Sequence, residues 1–284
     1  MAEIHATDVR IAAVADTAAA LRKNLWQRIE PTALGAGTIV LLLVVWQVWP
    51  DIFPLKPGTK LFFAVPSQIA GTLWNMFATG SIWTPLRVSA SAFALGLALA
   101  IAAGLPLGVL IGRSATLNAM IDPFITAFNA TPRLVFLPLL MLWFGIGIWS
   151  KVAVVFIGAL FPLLINTQEG VRNADKLLIN VVRSFGASEW DIARLVVMPN
   201  ALPFIIVGLR LAIGRAVLGV VVAEFFGSQE GLGVVMVRAA SSFKVDVVFA
   251  GLIVFAALSL IMTGLVKLIE DRLSRWRPQH SNAE

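Results

Sequence analysis

Long apolar runs, not strict alternation, dominate the chain. Six stretches rich in Leu, Val, Ile, Ala and Phe stand out, at approximately 33–50, 88–112, 121–144, 148–166, 202–226 and 247–269. At ~1.5 Å rise per residue each has roughly the length needed to cross a hydrocarbon core of ~30 Å. The pattern predicts an all-α polytopic membrane protein of about six transmembrane helices. The third stretch contains Asn129, Pro132, Arg133 and Pro138, which predicts a broken helix. Lipid tolerates such a break only where protein or a water-filled cavity covers the freed backbone. In the second stretch Ala92, Gly96, Ala100, Gly104, Gly108 and Gly112 recur every four residues. They draw one line of small side chains along a helix, a face that admits close approach of another helix.

Between the fourth and fifth runs the pattern changes. The segment "SFGASEWDIARLVVMPNALP", residues 184–203, is polar and charged, and Gly186, Pro199 and Pro203 punctuate it. Ser188 and Asp191 fit a helix-start box, in which the Ser side chain accepts from a backbone N–H and the Asp reaches back to the cap. Glu189 and Asp191 also suit the positive end of a helix dipole. A short helix of about ten residues ending at Pro199 is expected, with Trp190, Ala193 and Val197 on one face. Gly186 permits a sharp bend or a close backbone approach. Two readings stay open on these residues alone: a helix lying on the membrane, or a protruding knob that docks in a groove on a partner.

Composition sharpens the membrane reading. Of 284 residues, 58% are hydrophobic and 13% charged, against about a quarter charged in ordinary soluble domains. Mean hydropathy is +0.87. The expected organisation is a cytosolic tail over 1–30, a transmembrane domain over 31–272 with a cytosolic loop at 167–201, and a cytosolic tail over 273–284. The first thirty residues lack a secretory signal's order of basic start, apolar centre and small-residue cleavage site. Net charge is +6, yet the basic residues flank apolar runs and form no aromatic-interleaved patch, so nucleic acid is not an expected partner. Membrane lipid is. Of the 22 Lys and Arg, Lys56, Lys60, Arg87, Lys151, Arg238 and Lys244 fall on one side, and Arg133, Arg210 and Arg215 lie within spans. The remaining thirteen fall on the other side, which the positive-inside rule makes cytosolic, together with both termini and residues 167–201.

Several chemistries have no residues to perform them. Cysteine is absent and the two histidines, His5 and His280, lie near the ends, so no thiolate site, no His-based metal cluster and no Ser-His nucleophile is expected. No phosphate-cradling G-x-x-x-x-G-K-[ST] loop occurs, so no cofactor is expected on this chain. Transport fits better than catalysis. Ionisable groups at membrane depth cost a few kcal/mol or more, about 2.5–3.5 on insertion scales, and tend to face cavities or partners. Arg210, Arg215, Glu224 and Arg133 are therefore the candidate path residues. Arg210 and Glu224 stand about 21 Å apart along a helix, too far to pair within one span. An arginine could line a route for an anion, or these charges could hold a dimer or cap a broken helix. For Glu224 the structural role is preferred.

The polar segment resembles the signature loop of ABC importer permeases, whose pattern is E-A-A, three residues, Gly, nine residues, Ile, any residue, Leu-Pro. Gly186 is followed at that spacing by Val196, Val197, Met198 and Pro199, while Asn180, Val181 and Val182 depart from E-A-A. "PRLVFLPLLMLWFGIGIWSK" from Pro132, "LPFIIVGLRLAIGRA" and "VVAEFFGSQEGLG" are similar to the nitrate, sulfonate, taurine and bicarbonate branch. The likeness runs from about residue 64 to about 270. It implies a type I importer (MetI-like) permease fold in a bacterial inner membrane. It also implies a homodimer with a second copy of this chain, two cytosolic ATPases that bind ATP and Mg, and a periplasmic or lipid-anchored solute-binding protein. Phe185, Gly186, Ala187, Ser188, Trp190, Asp191 and Pro199 would then form the ATPase-coupling loop. Closure of the ATPases would drive alternating access for a small anionic solute. The competing readings are a secondary transporter, which predicts inverted repeats and mid-membrane carboxylates, and a membrane scaffold protein not coupled to an ATPase.

Overall fold

The computed structural model describes residues 33–53, 56–60 and 62–273; both expected tails fall outside the described residues, apart from Leu273. Two compact units are present, residues 1–68 and 69–284. In the first, α1 (Ala33–Ile52) is long and apolar enough to cross a membrane, and α2 (Pro57–Lys60) is a single turn. At the end of α1, the Gln47 side-chain carbonyl accepts from the Ser67 N–H at 3.0 Å. This engages one of the first N–H groups of α3 (Pro66–Ala78), which have no partner inside the helix.

The second unit is built around α4 (Trp83–Arg113), α7 (Ile148–Arg172) and α10 (Met198–Gly227). Their arrangement follows from small residues. The stripe on α4 is buried and faces α7: a Cβ on Gly108 would lie 2.8 Å from the Leu164 carbonyl, and one on Gly112 would lie 2.8 Å from the Gln168 carbonyl. The register rises on both helices together, so α4 and α7 run parallel. On the other flank of α7, Gly158 meets Arg215 backbone and Gly208 meets Pro162 and Leu163, which makes α10 antiparallel. The core lies between them, where Val155, Ala159 and Leu163 pack with Ile206, Ala212, Ile213, Ala216 and Val220. Gly108→Val is expected to cost about 1–3 kcal/mol by overpacking, read as a lowered unfolding midpoint in detergent. Gly264→Val, with nothing within 4 Å of a Cβ placed there, is the matched control and should lose little.

The expected third span is not one helix. The chain forms α5 (Ala115–Ala130), a 3₁₀ turn (Arg133–Phe136) and α6 (Leu137–Phe144). The break falls at Thr131 and Pro132, since proline disfavours helical backbone in the residue before it. Together these pieces return the chain from the end of α4 to the start of its parallel neighbour α7. Next come α8 (Lys176–Ser184), α9 (Glu189–Ile192), a π-helical turn (Ala193–Val197) and then α10. Finally α11 (Leu232–Ser241) and α12 (Val245–Leu273) complete the unit. Five helices among the described residues are long and apolar enough to span: α1, α4, α7, α12 and the continuous stretch Glu189–Gly227.

The short helix begins where the sequence predicts, and it does not end there. Pro199 lacks an N–H, and its ring clashes with the carbonyl four residues back in an ordinary α-helix. The wide turn at 193–197, closed by a bond from the Met198 N–H to the Ala193 carbonyl, makes room for that ring. Pro199 consequently sits in the first turn of α10, where its missing donor costs nothing.

Candidate functional site

The hairpin joining α7 to α10 is built from caps. Asp175 accepts from the Leu177 N–H at 2.8 Å and starts α8. At the other end of α8, Gly186 has φ +82, the left-handed conformation that closes a helix C-terminus. The Gly186 N–H reaches the Arg183 carbonyl at 2.9 Å and the Ala187 N–H reaches Val182 at 3.3 Å. No atom lies within 4 Å of a Cβ placed there, so Gly186 serves the bend and not a close approach. Ser188 and Asp191 then form the reciprocal capping box. Arg183 and Arg113 both bond Glu189, at 2.8 and 3.2 Å, tying the hairpin to the end of α4.

Beneath these caps Val171, Ala174, Ile192, Val197 and Ala201 form a small core with Ile179, Val182 and Ala187. The expected shared face of Trp190, Ala193 and Val197 is corrected: Ala193 and Val197 are buried, while Trp190 is 73% exposed. The four-residue α9 directs Ile192 inward, which turns Trp190 outward. Phe185, at 88%, is also exposed. Two large aromatic side chains thus project from a rigidly capped turn.

Along α10 the three candidate charges have separate fates. Arg210 bonds Glu270 of α12 at 2.8 Å and is held as a helix–helix clamp. Arg215 lines a cavity of about 360 Å³ with Asn129, Thr131, Pro132 and Val222. No described carboxylate pairs with it. The backbone of Arg133 lies in the 3₁₀ turn beside this cavity's Pro132; its side chain is outside the described residues.

Glu224 is fully buried at the opposite end from the hairpin. Its carboxylate pairs with Lys151 at 3.4 Å, accepts from Ser89 Oγ at 2.8 Å and accepts from the Gly233 N–H at 2.8 Å. Ser89 Oγ in turn accepts from the Leu232 N–H at 2.9 Å, and Lys151 Nζ also donates to the Glu230 carbonyl. The knot fastens the 228–233 turn to α4, α7 and α10. Gly231, at φ +131, lies so close that a Cβ would overlap the Glu224 carboxylate. Among the described residues no group of three or more His, Asp or Glu is placed to hold a metal ion.

The sequence model of the binding-protein-dependent transport system inner membrane component family matches residues 104–275. The chain belongs to that family. This permease is 30% identical over 256 residues to the taurine transport system permease protein TauC of Escherichia coli, covering 88% of the chain and 92% of TauC. It is 34% identical to a putative aliphatic sulfonates transport permease protein, SsuC of Bacillus subtilis, over 84% of the chain and 87% of SsuC. The riboflavin transport system permease protein RibX of Chloroflexus aurantiacus is 33% identical over 88% and 92%. Among solved structures, an inward-facing MetNI methionine ABC transporter superposes with a TM-score of 0.58 at 19% identity, covering 66% of this permease and 94% of that chain. That likeness establishes the MetI-type fold.

Sequence reasoning placed the hairpin residues together and the permease keeps Phe185, Gly186, Ala187, Ser188, Trp190 and Asp191 in one turn. Pro199 lies beyond it, in α10. Lys151, Ser89, Asn129 and Thr131 were missed as site residues. Lys151 was counted only among the charges that mark one side of the membrane; it is 3% exposed inside the first turn of α7. A signal was available: a lysine directly after an apolar run must have a partner if it is not at the interface.

Proposed function

We propose that this multi-pass permease is the translocating subunit of an ATP-driven importer for a small sulfonate-class anion. The cargo reading is supported by two relatives named for taurine and aliphatic sulfonates and by the unpaired Arg215 in its cavity. The observation that carries the coupling reading is the exposed Phe185–Trp190 pair on a capped hairpin. In this scheme each hairpin of a homodimer seats in a groove on one of two cytosolic ATPases, which bind ATP and Mg. A solute-binding protein on the far side delivers cargo. The hairpin, residues 167–201 and both termini face the cytosol of a bacterial plasma membrane.

The helix geometry gives the mechanism a lever. Residues Glu189–Gly227 run without interruption from knob to opposite end, so displacement of α9 moves α10 and Arg215 with it. Inward and outward states would differ in which end of the Arg215 cavity is open, and the guanidinium would offset the desolvation of an anion in transit. Reconstituted complexes supply the test. Uptake of labelled taurine or an alkanesulfonate should require ATP, and Arg215→Gln should reduce it by about tenfold or more, the loss expected for a charged hydrogen bond. Arg210→Gln should leave uptake within about twofold while loosening the α10–α12 clamp. Unchanged uptake by a normally assembled Arg215→Gln complex would remove the path role.

A further inference from the structure

Beneath the hairpin, at the end away from the Glu224 knot, lies another cavity of about 540 Å³. Arg113, Arg172, Lys176 and Arg183 line it against a single carboxylate, Glu189. That carboxylate is already divided between Arg113 and Arg183. The side chains of Arg172 and Lys176, both exposed at the rim, make no hydrogen bond or ion pair with any described residue. Two neutral side chains of the wall have an acceptor already engaged: the Asn118 carbonyl accepts from the Gln168 amide at 2.5 Å, and Ser114 Oγ accepts from the Leu117 N–H. Nearby carboxylates are committed elsewhere: Asp175 caps α8, Glu169 holds Asn173 and Asp191 closes the capping box.

Four cationic side chains set against one carboxylate that two of them already share give the cavity a surplus positive charge that matches an oxyanion. Guanidinium forks suit phosphate oxygens geometrically and lysine supplies a point charge. We propose that this cavity is a phosphate-binding site, taking either the headgroup phosphate of an anionic lipid or a soluble phosphate. It is separate from the Arg215 cavity and shares no lining residue with it. Arg172 and Lys176 supply the first contacts, and Arg113 and Arg183 complete the cage. Occupancy competes with Glu189 for those two arginines and so loosens or re-seats α9. This last effect rests on the coupling reading; binding itself does not.

The full-length chain in nanodiscs tests binding without any transport assay. In discs of phosphatidylcholine alone, inorganic phosphate is titrated by calorimetry. In discs containing phosphatidylglycerol, retained lipid per chain is counted by native mass spectrometry. Saturable binding of either probe is expected, weakened about a hundredfold in R172Q/K176Q, at roughly tenfold per charged contact. The charge-conserving R172K/K176R variant should bind at least about tenfold more tightly than R172Q/K176Q, which separates lost charge from lost fold. Phosphate binding in the phosphatidylcholine discs assigns a soluble ligand, and selective phosphatidylglycerol retention assigns a lipid. R215Q should change neither. Failure to bind both probes overturns the site, as does equal binding by wild type and R172Q/K176Q.

Discussion

Lys151→Met is expected to destabilise the folded permease by about 3–5 kcal/mol, the cost of stranding one member of a buried ion pair. Both partners are sequestered, Lys151 at 3% and Glu224 at 2% exposure, so water cannot take over for the missing ammonium. The loss spreads beyond the pair. Lys151 also holds the Glu230 carbonyl, and the Glu224 carboxylate organises Ser89 and the Gly233 N–H. With the ammonium gone, the 228–233 turn loses one anchor and keeps a carboxylate with too few donors. Adding Glu224→Gln should restore a large part of the stability, because the amide carbonyl still accepts from Ser89 and Gly233 and no net charge stays buried. A double-mutant cycle of unfolding midpoints in detergent measures this coupling. Additive losses would show that the two side chains act independently.

Trp190→Ala and Phe185→Ala are expected to act in the opposite sense, leaving the fold intact and weakening ATPase association. Exposed aromatics on a rigid turn are the kind of anchor that carries most of an interface's energy, about 2 kcal/mol or more each, or roughly thirtyfold in affinity. Trp190 projects away from the small core formed by Val171, Ile192 and Val197 and is 73% exposed, so the thermal midpoint should stay within about 1 °C, a change under 0.5 kcal/mol. The measurement is retention of the ATPase by tagged permease across a dilution series. Retention equal to wild type in the doubly substituted chain would mean that the hairpin is not the grip.

Much of the architecture could be read directly from hydropathy and spacing. Five of the six apolar stretches fall in single long helices, and the glycine line on α4 meets a neighbouring helix as its period implies. The capping box at Ser188 was visible because it is local, four residues long and chemically reciprocal. What escaped was non-local or depended on subtle backbone geometry. Arg210 and Glu270 are sixty positions apart, and nothing in either neighbourhood announces the other. Lys151 entered only as a charge on one side of the membrane, since a linear reading cannot see that the 228–233 turn folds over it. Trp190 shares a helical period with Ala193 and Val197, yet a helix of four residues followed by a π turn does not maintain that period. Pro199 was read as a stop because proline usually is one; a wider turn upstream removed the reason.

That wider turn behaves as a one-residue insertion in an otherwise regular rod. Each residue in an α-helix advances the azimuth by about 100°. Tightening residues 193–197 to regular α geometry with none of them removed would therefore barely lengthen the lever, but would swing Trp190 about a quarter-turn around its axis relative to Arg215. The phase between the aromatic projection and the guanidinium is thus written into a single extra amino acid.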